Sequence, residues 1–148
     1  MQYSLITVTL RIKKLHPEAV LPKYGREGDA GLDLSATENV SIPPSERRTV
    51  ATGIAIAIPS GSVGLIWDRS GLAAKQGIKS MGGVIDANYR GEIKVILHNL
   101  SKEPFTVEKG MRIAQLLIQP VQQKEIVEVQ ELEETERNEQ GFGSTGTR

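Results

Sequence analysis

The sequence predicts an all-β domain with one short helix, and three observations lead to that prediction. Apolar and polar residues alternate in roughly ten short segments, which is the pattern of half-buried strands. Glycine and proline separate these segments at regular intervals, as is typical of β-sandwiches and β-barrels. Only residues 70–77 interrupt the alternation with helix-forming residues.

The composition limits the kinds of function that need to be considered. The chain has 148 residues, enough for one domain with a sizeable core, and its net charge is zero. A neutral chain has no long-range field that attracts nucleic acid or an anionic membrane, so we expect neither as a partner. The absence of cysteine excludes disulfides, thiolate nucleophiles and zinc–thiolate sites, and the two histidines, His16 and His98, are expected to be structural or solvated. If a metal takes part, it should therefore be a hard, oxygen-ligated ion such as Mg²⁺. No signal-peptide pattern or membrane-length apolar run is present, so a cytoplasmic location is expected.

The first third of the chain is predicted to contain a strand, a loop and a second strand. Residues 3–13 alternate regularly, whereas residues 16–31 are rich in proline and glycine. Leu32 and Leu34 then point to one side of a short strand and Asp33 to the other. Asp29 and Asp33 together could bind a cation through water, although Asp29 more simply caps a turn.

Two further strands lead to the predicted helix. Residues 47–58 and 63–67 alternate, and Ser70 then stands where a helix N-cap is expected, with Gly77 at its C-terminal end. Arg69 precedes the helix start, where free N–H groups, the helix dipole and the guanidinium could together bind an anion. The alternative is a linker helix with Arg69 in water.

Residues 84–97 are predicted to form a β-hairpin. Val84 and Ile85 run into Asp86, a polar turn carries Tyr89 near its end, and alternation resumes at Ile93. The preceding pair of glycines, residues 82 and 83, allows a close backbone approach. Such a hairpin can offer backbone N–H and C=O groups to a flat polar ligand such as a nucleobase, with Asp86 as a candidate general base. A surface hairpin with a solvated Asp86 is the alternative.

The last third is predicted to contain three strands and a tail. Strands are expected at residues 104–107 and 113–118, and a last alternating one within 121–132 at Ile126, Val127 and Val129. Gln115 is polar within an apolar run, so it must bond backbone groups or reach a pocket. We expect residues 1–132 to form the β domain. Residues 133–148 are either a glycine-rich, flexible lid that closes over phosphate or a disordered terminus.

Five of these stretches, in this order, resemble the motifs of the trimeric dUTP pyrophosphatase (dUTPase) family. They are Asp29–Leu34, Arg69–Ala73, Gly83–Glu92, Gly110–Leu116 and Arg137–Gly146. The resemblance therefore covers essentially the whole chain.

The resemblance implies a jelly-roll β-barrel or sandwich, assembled as a homotrimer with active sites shared between subunits. It also implies hydrolysis of dUTP to dUMP and pyrophosphate, which keeps uracil out of DNA and supplies dUMP for dTMP synthesis. Asp86 would activate the attacking water, and Asp33 would hold the cofactor Mg²⁺ through water. The residues that the resemblance places around the substrate are Arg69, Ser70, Gly71, Ser80, Val84, Ile85, Asn88, Tyr89, Lys94, Gln115, Arg137, Phe142, Gly143, Ser144 and Thr145.

Each part of the substrate has its own residues in this scheme. Arg69, Ser70, Gly71 and Gln115 would contact the phosphates, and Arg137, Ser144 and Thr145 the terminal one. Tyr89 would stack under deoxyribose and leave no room for a 2′-hydroxyl, and Phe142 would cover the uracil. Backbone groups around Val84, Ile85 and Lys94 would read the uracil edge, where a tight slot excludes the methyl group of thymine.

The chain departs from the family pattern at several positions. Asp68 replaces the usual proline, Ser80 stands where asparagine is frequent, and Asn138 and Glu139 begin a less glycine-rich tail motif. A carboxylate beside a phosphate site should weaken anion binding, so we expect Asp68 to turn away from it. The alternatives to a dUTPase are a dCTP deaminase or bifunctional deaminase-dUTPase, and a non-catalytic jelly-roll binding module.

Overall fold

The computed structural model describes residues 9–147, and that range forms ten strands and one helix. The strands are β1 Arg11–Lys14, β2 Leu32–Ser35, β3 Val40–Ile42, β4 Arg47–Ala57, β5 Ser62–Trp67, β6 Ile78–Met81, β7 Val84–Ile85, β8 Glu92–Asn99, β9 Phe105–Val107 and β10 Arg112–Pro120. The helix is α1 Ser70–Gln76. The predicted all-β domain with one short helix is confirmed.

The strands form two four-stranded sheets and one pair, and all of their pairings are antiparallel. The first sheet has the order β1-β4-β8-β6, the second has the order β2-β10-β5-β7, and β3 pairs with β9. Alternate residues of the central strands enter a single core, for example Ile54 and Ile56 in β4, Val95 in β8 and Leu116 in β10. The core therefore lies between the sheets, and the loops at their ends are free to form sites.

The predicted hairpin at residues 84–97 is wrong in its pairing. Strand β7 pairs with β5 of the second sheet, whereas β8 pairs with β4 and β6 of the first. Strand β8 forms a hairpin with β6 instead. Residues 82–91 connect these two strands, and β7 within this connection pairs with the second sheet. Gly82 and Gly83 have φ of 67° and 97°, and a side chain on Gly83 would press against the backbone of Ile66. The predicted close approach is thus made to β5.

The predicted strand within residues 121–132 is absent from the structure. Val121 bonds back to Gly61, but no ladder follows, and Ile126, Val127 and Leu132 are 96%, 67% and 87% exposed. An alternating pattern indicates that a segment can form a strand, but it does not show whether a partner strand lies beside it. An exposed apolar segment of this kind calls for a covering surface.

Two smaller predictions are also corrected or limited by the structure. The N-cap is Arg69 rather than Ser70, and it makes no side-chain capping bond, whereas Gly77 ends the helix in the left-handed conformation as expected. The first predicted strand is observed as Arg11–Lys14, and residues 3–8 lie outside the described range.

Within residues 9–147 no helix has the length and apolar character needed to cross a membrane.

Candidate active site

A cleft of about 600 Å³, here called the first cleft, lies between the loop before β2, the start of α1 and strand β10. Four cationic side chains and two carboxylates line it, so positive charge exceeds negative charge. Its lining includes Arg26, Asp29, Gly31, Asp33, Arg69, Ser70, Gly71, Lys75, Arg112 and Gln115. This excess of cations suits a polyanionic ligand.

Asp33 organises the arginines of the first cleft. Its Oδ1 lies 3.4 Å from Nε of Arg69, and its Oδ2 lies 3.3 Å from Nη1 of Arg112. Arg69 also donates from Nη1 to the carbonyl oxygen of Arg112 at 3.1 Å. The Asp33 side chain is only 19% exposed and the Arg69 side chain 30%, whereas the Arg112 side chain is 56% exposed, so the carboxylate orients two guanidiniums that still reach the solvent of the cleft.

The start of α1 contributes donors to the same cleft. Ser70 and Gly71 are the first residues of the helix, and no acidic side chain occupies its first turn. Their backbone N–H groups have no partner within the helix, because the first N–H groups of any helix lack one. The space beside Gly71 is open, since a side chain added there would meet nothing within 4 Å.

Gln115 lies at the back of the first cleft, in a position fixed by strand register. It stands opposite Asp33 of β2 on one side and opposite Trp67 of β5 on the other. Its Nε2 donates to the carbonyl oxygen of Asp68 at 2.8 Å. Both expectations for this residue are met, because it bonds neighbouring backbone and also lines a pocket. Gly31 packs so closely on Gln115 that any side chain at Gly31 would overlap it.

Asp68 turns away from the first cleft, as predicted. Its carboxylate accepts hydrogen bonds from Nζ of Lys79 at 2.8 Å, from the Ser80 N–H at 2.6 Å and from the Ser80 hydroxyl at 2.5 Å. Burial raises the pKa of Asp68, but these hydrogen bonds and the charge of Lys79 outweigh it, so the net pKa lies below its ordinary value. Asp29 accepts from the Arg26 N–H, which confirms its role in a turn.

A second cleft of about 680 Å³ contains Asp86. Its lining includes Val84, Asp86 and Asn88 from the 82–91 loop, Ser62 of β5 and Val121 after β10. It shares no lining residue with the first cleft. The predicted base and the predicted phosphate-binding residues are therefore in separate clefts of this chain.

The loop that carries Asp86 is held by its own hydrogen bonds. The Tyr89 N–H donates to the carbonyl oxygen of Asp86 at 3.1 Å, and the Tyr89 hydroxyl donates to that of Glu92 at 2.9 Å. Arg90 donates from Nη1 to the carbonyl oxygen of Ala87 at 2.7 Å. The Tyr89 ring lies against Gly91, where a side chain would overlap it. Tyr89 nevertheless stays 43% exposed and presents a ring surface outward.

The remaining predicted residues of the domain lie around these clefts. Ser80 and Val84 line a smaller cavity of about 260 Å³ beside Trp67, but the Ser80 hydroxyl is already bonded to Asp68. Ile85 is half-buried in β7, and Lys94 is exposed on β8 opposite Ala51. Neither Ile85 nor Lys94 lines the two larger clefts.

The hydrogen bonds of the predicted lid residues Arg137 and Ser144 stay within the tail. Arg137 donates from Nε to the carbonyl oxygen of Gln140 at 2.7 Å, and Ser144 bonds back to Gly141. Phe142 is fully exposed, and Gly143 adopts φ of 91°. Residues 137–145, including Thr145, line neither of the two larger clefts.

No preformed metal cage exists among residues 9–147, because no three His, Asp or Glu side chains cluster there. Asp33 is already beside two arginines. A single carboxylate still fits Mg²⁺, since this ion keeps several waters and takes its other ligands from substrate phosphates. The residues present therefore fit a metal that arrives with a polyphosphate.

Arg112 lines the first cleft beside Asp33 but was not predicted from the sequence. It lies three positions before Gln115, so simple alternation would put the two on opposite faces of β10. A bulge between Arg112 and Ala114 shifts the register and brings Arg112 to the first cleft. Its only sequence signal is that it shares the Gly110–Leu116 motif with Gln115.

Comparison with known proteins gives one consistent result. The family model described as dUTPase matches residues 17–146. A deoxyuridine 5′-triphosphate nucleotidohydrolase of Clostridium kluyveri is 53% identical over 140 residues, covering 93% of this chain and 98% of that protein. The enzyme of the same name from Paramecium bursaria Chlorella virus 1 is 47% identical over 138 residues, covering 93% and 98%.

Solved structures agree with the sequence comparison. A mutant dUTPase of Staphylococcus bacteriophage 80alpha with dUpNHpp superposes with a TM-score of 0.90 at 32% identity, covering 95% of this chain and 100% of that one. A mutant dUTPase of phage phi11 of S. aureus, described with a structural Mg(II) ion, gives 0.81 at 28% identity, covering 86% and 100%. The family match, the identities and the common fold show that this chain belongs to the dUTPase family.

Proposed function

We propose that dUTP binds between copies of this chain, in an active site that no single copy completes. The reaction is hydrolysis of dUTP to dUMP and pyrophosphate, the activity of the family to which the chain belongs. The observation that carries the proposal is the separation of Asp86 from the phosphate-binding residues. The first cleft of one copy would face the 82–91 loop of another.

The exposed apolar surface supports a homotrimer with shared sites. Residues 121–132 have an alternating pattern but no partner strand, and Val121, Val127 and Val129 are 46%, 67% and 55% exposed. Trp67 and Val84 are also more than half exposed beside the smaller cavity. A neighbouring copy would cover this surface and pair with the extended segment, and cyclic assembly would give three equivalent sites.

The first cleft would bind the triphosphate. Arg69 and the N–H groups of Ser70 and Gly71 supply charge-assisted hydrogen bonds, and Gln115 adds a neutral donor or acceptor. When bound, Mg²⁺ would neutralise charge on the phosphate oxygens, with Asp33 holding it through water. Both Mg²⁺ and these residue roles are part of the proposal, and the fit of a single carboxylate to a substrate-borne ion supports them.

Asp86 would act as the general base. It takes a proton from a water molecule whose oxygen forms a bond to the α-phosphorus. The bond from that phosphorus to the bridging oxygen of the β-phosphate breaks, and pyrophosphate leaves. The exposure of Asp86 at the second cleft leaves its carboxylate accessible to water and to a substrate held by another copy.

The 82–91 loop would select the nucleoside. Backbone groups of Val84, Ile85 and Lys94 would read the uracil edge, and Asn88 would lie against the nucleoside. The Tyr89 ring, fixed by its hydroxyl bond and by Gly91, would stack under deoxyribose and exclude a 2′-hydroxyl. One methyl group in a roomy pocket is worth only about 1–3 kcal/mol, so discrimination against thymine requires a tight slot.

The tail would close the site as a lid. Arg137, Gly143, Ser144 and Thr145 would bind the terminal phosphate, and Phe142 would cover the uracil. Phe142 is fully exposed, and none of residues 133–147 lines either large cleft of its own copy. Both observations support a lid that closes over the site of another copy. The cytoplasmic location expected from the sequence is part of the same proposal.

Mixing two inactive variants tests the shared site. Asp86→Asn and Arg69→Ala should each abolish pyrophosphate release from dUTP. After subunit exchange, random assortment should restore about a quarter of the sites, because some then combine Asp86 of one copy with Arg69 of another. Mixing Arg69→Ala with Gln115→Ala is the matched control: both residues line one cleft, so no site is restored and the mixture should not exceed the average activity of its two components.

Three outcomes would contradict the proposal. No recovery in the first mixture would refute sites built from two copies, and a monomer in analytical ultracentrifugation would refute the trimer. Equal hydrolysis of dUTP, dCTP, dTTP and UTP would refute the proposed base and sugar selection. The same panel with and without Mg²⁺ measures the dependence on metal.

A further inference from the structure

Asp68 and Ser80, the two departures from the family pattern within the domain, are bonded to each other in the structure. The Asp68 carboxylate receives three hydrogen bonds, two from Ser80 and one from Lys79 of the same strand, β6. Ser80 is 9% exposed, and the Asp68 side chain is 22% exposed. A largely buried carboxylate with three donors, two of them from a buried residue, is anchored more firmly than a surface ion pair.

The same residue supports the first cleft from its backbone. Its carbonyl oxygen accepts from Nε2 of Gln115, and the next residue, Arg69, begins the phosphate-binding turn. A proline at this position would restrict the backbone by its ring. Asp68 restricts the same backbone by tying it to β6 through its side chain.

In this arrangement the negative charge of Asp68 does not oppose phosphate binding in the first cleft. Lys79 neutralises it at 2.8 Å, and the side chain does not line the first cleft. The carboxylate therefore acts on the cleft through the backbone and not through its field.

We propose that Asp68 is a positioning residue, which holds the Arg69–Ser70–Gly71 turn and Gln115 in their phosphate-binding geometry through its bonds to Ser80 and Lys79. This inference rests on the proposed function of the first cleft. It assigns the Ser80 hydroxyl to Asp68 in place of a direct contact with substrate. It also links the turn to β6, the strand that leads into the 82–91 loop.

The test compares Asp68→Ala with wild type in three measurements: dUTP hydrolysis, inhibition by inorganic pyrophosphate and inhibition by deoxyuridine. Loss of the anchor should raise KM for dUTP and the pyrophosphate inhibition constant by about tenfold. Inhibition by deoxyuridine, which lacks phosphate, should stay unchanged. Asp68→Asn keeps the shape and one acceptor, so it should recover part of the loss. Glu18→Gln, which breaks an exposed pair with Lys109 away from the clefts, is the control and should behave as wild type.

The outcomes separate this inference from the proposed function. If wild type does not hydrolyse dUTP, the proposed function fails. If wild type is active but Asp68→Ala has a normal pyrophosphate inhibition constant, only the positioning role is refuted. The same holds if Asp68→Ala raises the inhibition constants of pyrophosphate and deoxyuridine equally. If Asp68→Ala does not fold, the same measurements are made on Ser80→Ala and Asp68→Asn. Each variant should raise the pyrophosphate inhibition constant and leave that of deoxyuridine unchanged. The double variant Asp68→Asn/Ser80→Ala should have a pyrophosphate inhibition constant no higher than that of the more affected single variant, because the two residues act as one anchoring unit.

Discussion

Replacing Gly31 by alanine tests how the first cleft is packed. Gly31 is buried, and its φ is not in the left-handed region, so the backbone itself accepts alanine. The added methyl would overlap the end of the Gln115 side chain, and it would also lie 2.9 Å from the Gln115 Cβ. Because Cβ is close to the strand backbone, rotation of the side chain alone cannot relieve the overlap. Gln115 must leave its place and break its 2.8 Å bond to Asp68.

The magnitude follows from two contributions. Overpacking by one methyl costs about 1–3 kcal/mol, and the lost hydrogen bond costs about 1 kcal/mol. The free energy of unfolding should therefore fall by about 2–4 kcal/mol, and the melting temperature by roughly 4–16 °C for a chain of this length. Displacement of Gln115 should also lower kcat/KM for dUTP by about tenfold.

A double-mutant cycle with Gln115→Ala isolates the contact. Alanine at residue 115 removes most of the atoms that Gly31→Ala would meet, so the double variant should be more stable than the sum of the single effects predicts. Thermal melting followed by circular dichroism measures the stabilities, and pyrophosphate release measures activity. Gly31→Ala melting like wild type, or strict additivity in the cycle, would refute this account of the packing.

Three further predictions concern other parts of the site. Gly91→Ala should displace the Tyr89 ring and raise hydrolysis of UTP relative to dUTP, whereas an unchanged ratio would exclude Tyr89 as the sugar-selecting surface. The lowered pKa of Asp68 means that its ionised form stabilises the fold above its ordinary value of 3.8, and that this contribution is lost as the pH falls through the lower folded value. The urea midpoints of wild type and Asp68→Asn should therefore converge below about pH 4, and a constant gap would contradict this sign. Removal of residues 133–148 should leave the melting temperature within a few degrees but lower kcat at least about tenfold, and full activity would exclude a lid.

The sequence predicted strands better than it predicted their partners. Alternation depends on which face of a strand is buried, and that local property identified β4, β8 and β10. Pairing depends on the whole chain, so β7 was assigned to β8 although it joins β5. The strand expected within residues 121–132 failed for the same reason.

The candidate site was predicted in its parts but not in its arrangement. Asp33, Arg69 and Gln115 do meet in one cleft, since strand register and a short turn bring them together. Arg112 was missed because a bulge alters the face on which it lies. The separation of Asp86 from these residues could not be foreseen from motif order, because the order of motifs along a chain does not show which cleft each motif lines.

The attachment of the 82–91 segment to both sheets has a practical consequence for engineering. One end of the segment continues from β6 and the other enters β8, while its middle is bonded to β5. A small slide of one sheet over the other would tilt this segment, which we propose reads the nucleoside, without altering any residue on its surface. A conservative change in the strand beneath the segment, such as Ile66→Val at a buried residue that packs against Gly83, therefore offers a route to altered base preference. Libraries restricted to exposed residues would miss it.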